Sequence, residues 1–158
     1  MPKHNETRHL PYPAERLFDL VADVSRYREF LPWVAAVRIR SDSETEMIAD
    51  LVVGFKSLHE TFTSKVHKQR PHHIHVEYVE GPLKYLRNDW RFKPDGQGGT
   101  LLSFEVDFAF RSTLFEALAG QMFERAFRKM TDAFEERARQ LYGNEASGIS
   151  KSSAHSAA

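Results

Sequence analysis

Apolar and polar residues recur with two different periods along this chain, and the change of period divides it. From Thr113 to Tyr142 the apolar residues are Phe115, Leu118, Met122, Phe123, Ala126, Phe127, Met130, Ala133, Phe134 and Leu141. Steps of three and four dominate, which predicts one long amphipathic helix. Thr113 with Glu116 three residues on reads as a capping box at its start. Arg137 and Arg139 with Gly143 just beyond suit its end, and ~1.5 Å per residue makes it ~45 Å long. Between Val34 and Arg111 the period is two. Expected strands are Val37–Ile39, Met47–Val53, Leu58–His67, His73–Val79, Leu86–Lys93 and Leu102–Phe110. Gly54 is placed at a bend or bulge. Such alternation predicts an antiparallel sheet with one wet face.

Ahead of the sheet, Lys3 to Leu10 alternates weakly and reads as an edge strand. Pro13 then opens a short helix over Ala14–Val24. Asp23 or Ser25 is placed to cap a second, running through Tyr27 and Phe30 to the stop at Pro32. The predicted order is strand, two short helices, about six strands and a long helix, an α+β fold with the sheet curled around the helix.

With 158 residues, 41% hydrophobic and 12% aromatic, the chain has material for one domain with a sizeable core. That domain is expected over 1–143, with a small polar, disordered tail over 144–158. Lys plus Arg equals Asp plus Glu, 22 each, so no global charge draws the chain to DNA or anionic lipid. Absence of cysteine excludes disulfides, thiolate catalysis and Cys-ligated metals. The N-terminus has no apolar signal core, and no run approaches the ~20 residues of a membrane span. A cytoplasmic protein is expected, with transient contact at the inner membrane left open.

The order of elements resembles the helix-grip fold of the START-like superfamily, which includes polyketide cyclases and a birch pollen allergen. Several strings resemble the coenzyme Q-binding family and its bacterial relatives, some described as ribosome-association toxins. They are Tyr27, Phe30-Leu31-Pro32-Trp33, Ala49-Asp50-Leu51-Val52-Val53-Gly54-Phe55, Glu60 with Thr63-Ser64-Lys65-Val66, and Gly81-Pro82-Leu83 with Leu86 and Trp90. Val106-Asp107-Phe108, Phe110-Arg111-Ser112, Ala133-Phe134-Glu135, Arg137-Ala138 and Tyr142-Gly143 complete the set. Together they cover residues 3 to 143. One departure is Val34-Ala35-Ala36 after Trp33, where many relatives carry a cysteine.

The resemblance implies a carrier that encloses ubiquinone in support of respiration or quinone synthesis. Helix residues Met122, Phe123, Ala126, Phe127 and Met130 are then expected to face Leu51, Val53, Phe62, Trp90, Phe104, Val106 and Phe108 across an apolar cavity. Read without the resemblance, the same residues form a solid core. Flexible methionines suit a floppy ligand. Phe30, Leu31, Pro32 and Trp33, with Phe55 and Leu83-Lys84-Tyr85 nearby, read as a gate, a membrane-dipping loop or a staple closing the core. Glu60 and Ser64 are candidate partners for a quinone carbonyl, and Arg137 for a structural ion pair.

His67, His72, His73 and His75 raise a metal question. His73 and His75 share a strand face, but it reads as the solvent face, and no carboxylate evidently joins them. No metal is expected there. No GxSxG elbow or Gly-rich phosphate loop is present, so no catalytic residue or catalytic cofactor is assigned. A cavity-bound pair such as His59 with Glu60, serving a small cyclase, remains one alternative. Interference with ribosomal subunit joining is another, weakened by the balanced charge.

Overall fold

The alternation seen between Val34 and Arg111 becomes six strands of a seven-stranded antiparallel sheet, the seventh being Lys3–Leu10. The computed structural model describes residues 3–55 and 58–154, with side-chain surroundings for 3–54 and 58–143. The strands are β1 (Lys3–Leu10), β2 (Val34–Asp42), β3 (Glu46–Phe55), β4 (Leu58–Gln69), β5 (His73–Glu80), β6 (Leu83–Pro94) and β7 (Thr100–Phe110). Two helical pieces follow β1: α1 (Ala14–Ala22) and a 3₁₀ helix (Val24–Glu29). The long α2 (Thr113–Ala154) closes the order.

Strand order is β1-β7-β6-β5-β4-β3-β2. Every neighbour except β1 and β7 is also consecutive in sequence, so five hairpin connections build most of the sheet. β1 joins β7 with Leu10 opposite Thr100 and Lys3 opposite Asp107, and it is an edge strand as its polar alternation predicts. The sheet curves around α2, a helix-grip architecture. Gly54 causes no bulge, because β3 and β4 pair without a break from Glu46–His67 to Phe55–Leu58. Register shifts fall instead in β2, between Thr63 and Ser64 of β4, and between Leu83 and Tyr85 of β6.

α2 grips the sheet with small residues. Ala119 and Ala138 are buried, as are Thr131 and Phe134, and the helix backbone comes close to β1 and β7. That choice of face turns Leu118 and Leu141 outward, 61% and 48% exposed, against the expectation that they join the stripe. The cap also differs. Ser112 Oγ accepts the Phe115 N–H at 3.2 Å, so Ser112 is the cap and Glu116 lies one position too late to complete a box. Gly143 does not end the helix. Its φ is not positive, no proline follows, and the backbone continues to Ala154. The disorder expected over 144–158 falls on side chains outside those described.

Polar contacts fasten α2 to the edge strand. Thr131 Oγ1 donates to Glu6 Oε1 at 2.6 Å, and Arg8 reaches Glu135 at 2.8 Å. On the convex face of β3, Asp50 is buried at 7% exposure. Its carboxylate accepts Thr63 Oγ1 at 2.7 Å and Arg40 Nε at 2.9 Å. The Thr63 hydroxyl, and then Arg40, hold this carboxyl below the usual aspartate range. A depressed folded pKa stabilises fully above the ordinary value and is lost as pH falls through the folded one. Thr63→Val should therefore cost ~1.5–3 kcal/mol at neutral pH. That gap should narrow on acidification, as read from urea midpoints at descending pH.

Candidate functional site

The inward positions of β3–β6 do not all meet α2. Where the sheet curls away from the helix, a cavity opens. It is lined by β3 (Ala49, Leu51, Val53), β4 (Phe62, Ser64, Val66), β5 (Ile74, Val76) and β6 (Leu86, Asn88, Trp90). Met122, Phe123, Ala126, Phe127, Met130 and Phe134 of α2 form the opposite wall. Val21, Val24, Tyr27, Leu31, Trp33 and Val34 complete the lining. Its inner space measures ≈ 160 Å³, within ≈ 1030 Å³ of unoccupied space when the open side is counted.

Of the residues singled out in the sequence, the structure brings together Leu31, Trp33, Leu51, Val53, Phe62, Ser64, Trp90, Met122, Phe123, Ala126, Phe127 and Met130. Phe104, Val106 and Phe108 are placed elsewhere. They point inward but are fully covered, with Phe104 against Trp90 (4.6 Å between centroids) and Phe108 against Phe127 (4.9 Å). α2 lies directly on β7, so no space is left in front of that strand. Pro32 is exposed between buried Leu31 and half-buried Trp33. Leu83 is completely buried, which removes it from any membrane-dipping tip. The Phe55 side chain lies outside the described residues.

Glu60 and the exposed His59 stay off the cavity wall. Arg137 pairs with Glu29 and lies 5.1 Å over the Phe30 ring. That is a structural ion pair, joining α2 to the 3₁₀ helix.

Three polar groups interrupt the lining. The Tyr27 hydroxyl donates to the Val21 carbonyl, and burial pushes its phenol well above the usual tyrosine value. Asn88 donates from Nδ2 to the Glu105 carbonyl at 2.9 Å and accepts Trp90 Nε1 at 3.1 Å. These two bonds fix the amide and leave one N–H and one lone pair for a guest. Ser64, the third, sits at the β4–β5 register shift, the kind of irregularity that re-aims a side chain. Asn88 escapes the sequence reading because one amide in an alternating strand gives no periodic signal. Among the described lining residues there is no carboxylate, imidazole or amine. This wall offers hydrogen bonds and apolar contact, with no group that transfers protons near neutral pH.

Residues 10–135 match the family described as polyketide cyclase / dehydrase and lipid transport. The chain belongs to this family. A second comparison, with the ribosome association toxin RatA of Pseudomonas aeruginosa, gives 40% identity over 134 residues, covering 85% of this chain and 93% of the relative. Another relative is the mitochondrial coenzyme Q-binding protein COQ10 homolog B of Xenopus laevis. It is 32% identical over 147 residues, covering 90% of this chain and 60% of the relative. A START superfamily protein from Mycobacterium smegmatis superposes with a TM-score of 0.70 at 19% identity, covering 88% of this chain and 98% of that one. That likeness concerns the fold alone. No helix among the described residues is long and apolar enough to cross a membrane.

Proposed function

We propose that the protein is a non-catalytic carrier that encloses a prenylated quinone of the ubiquinone type. The observation that carries this reading is the cavity itself: apolar and, among the described lining residues, interrupted by Ser64, Asn88 and Tyr27. Mostly apolar walls with a few fixed polar groups describe a site for a small hydrophobic molecule. Ser64 and Asn88 stand on β4 and β6 with β5 between them, Ser64 opposite Tyr78 and Asn88 opposite Val76, so two strand spacings and a two-residue offset set them roughly 12 Å apart. A quinone has carbonyls on opposite edges of its ring, and hydrogen bonds of ~2.9 Å at both edges match such a gap. An inner space of ≈ 160 Å³ suits one ring, since a cavity of ~150 Å³ holds benzene. The larger open space suits the first prenyl units, and the rest of a long tail extends outward. The absence of carboxylate, imidazole and amine groups from the described wall favours binding over cyclisation. The name of the Xenopus relative supports the choice of quinone.

The chain has two tryptophans, Trp33 and Trp90, and both line the cavity. Titration with a short-tailed ubiquinone should therefore quench their fluorescence saturably, at one equivalent per chain. Ser64→Ala should weaken that binding ~3- to 10-fold, the worth of one hydrogen bond. Linear, non-saturating quenching would sink the proposal.

A second reading, ribosome association, is favoured by the name of the Pseudomonas relative and its coverage of nearly the full length. Salt-sensitive co-sedimentation of the protein with ribosomal subunits tests it separately. The two readings do not compete for the same surface, since the first uses the interior and the second the exterior.

A further inference from the structure

The convex face of the sheet, behind the cavity, carries a cluster that the carrier reading does not use. On β5, His73 and His75 project to the same side, as residues two apart on a strand do. The β5–β6 register sets His75 opposite Asp89. The Asp89 Oδ1 atom takes a hydrogen bond from His73 Nε2 at 2.7 Å and another from His75 Nδ1 at 2.9 Å. The three ligand atoms lie within 4.8 Å of one another. Their side chains are partly covered, at 26%, 40% and 17% exposure for His73, His75 and Asp89. His67 of β4 stacks on His75 at 5.9 Å and is itself held by Glu77 at 2.9 Å.

We propose that His73, His75 and Asp89 form a binding site for a zinc-like divalent transition-metal ion. Two imidazoles and one carboxylate are a donor set that borderline metals favour, and three protein ligands leave a position for water. Because the donors stand on paired strands, their spacing is set by the sheet rather than by loops. On binding, the ion takes the place of the two N–H donors. His73 coordinates through Nε2 and His75 through Nδ1; in each neutral ring the single proton moves from that nitrogen to the other by tautomerisation, and Asp89 gives Oδ1. Surrounding charge is mixed. Glu77 beside His75 and Glu105 opposite Asp89 favour a cation, while Arg91 opposite His73 opposes one. Affinity in the micromolar range follows from that balance and from partial exposure.

The position gives the site a consequence. Ile74, Val76, Asn88 and Trp90 alternate with these ligands and line the cavity on the other face. A bound ion ties β5 to β6 directly behind the cavity wall.

Calorimetric titration of tag-free, chelator-stripped protein with zinc chloride tests this. One equivalent should bind with a micromolar dissociation constant and raise the thermal midpoint. Asp89→Asn and His75→Ala should each weaken binding at least ~10-fold, with circular dichroism unchanged. His67→Ala should leave the affinity close to that of the parent. Absence of stoichiometric binding overturns the proposal. So does binding that survives both Asp89→Asn and His75→Ala, which would mean an adventitious ion on other histidines only.

Discussion

Phe134→Ala should lower the unfolding free energy by ~3–5 kcal/mol, the range for deleting a buried phenylalanine ring. The ring is 2% exposed and belongs to three elements at once. It stands edge-on to Tyr27 at 5.3 Å, to Phe30 at 5.0 Å and to Trp90 at 4.9 Å. α2, the 3₁₀ helix and β6 therefore meet on one side chain, and each edge-to-face pair adds to the loss from burial. Truncation also widens the cavity that Phe134 lines, so relaxation around the gap recovers little. Urea unfolding followed by tryptophan fluorescence measures the loss. A cost below ~1 kcal/mol would mean that the three elements are held together elsewhere.

Ala126→Trp should abolish lipid binding while leaving the fold intact. Ala126 is 8% exposed on the inner face of α2, among the residues lining the cavity. An indole attached there occupies the space assigned to the quinone ring. The affinity for a short-tailed ubiquinone should fall at least ~100-fold, equivalent to ~2.7 kcal/mol. Stability should change little, because the new ring fills open space instead of overpacking a filled core. Ala126→Ser, which keeps the volume, should bind like the parent. Parental affinity in the tryptophan variant would place the ligand elsewhere on the protein.

The two periods made most of the fold legible. Period-two alternation found every strand from β2 to β7, because each has one wet face. The three- and four-residue steps found α2. Failures occurred where spacing alone is ambiguous. Ser112 and Thr113 are both capping residues, and only the backbone geometry chooses between them. Leu118 and Leu141 fit the stripe as well as Ala119 and Ala138 do. The helix turned toward the small residues because they allow a closer approach. For Phe104, Val106 and Phe108, alternation gave the right face. It could not say whether the helix rests on that face or stands off it, which separates core from cavity wall. Asn88 and the pairing of Asp89 with His75 were invisible for another reason. They depend on cross-strand register, which a period within one strand does not encode.

Organic extraction of the freshly purified protein, followed by mass spectrometry, puts the carrier reading to its hardest test. A prenylated quinone near one equivalent per chain, missing from Ala126→Trp prepared in parallel, is what an enclosing carrier predicts. A well-folded protein that yields no lipid and takes up none from added ubiquinone contradicts it.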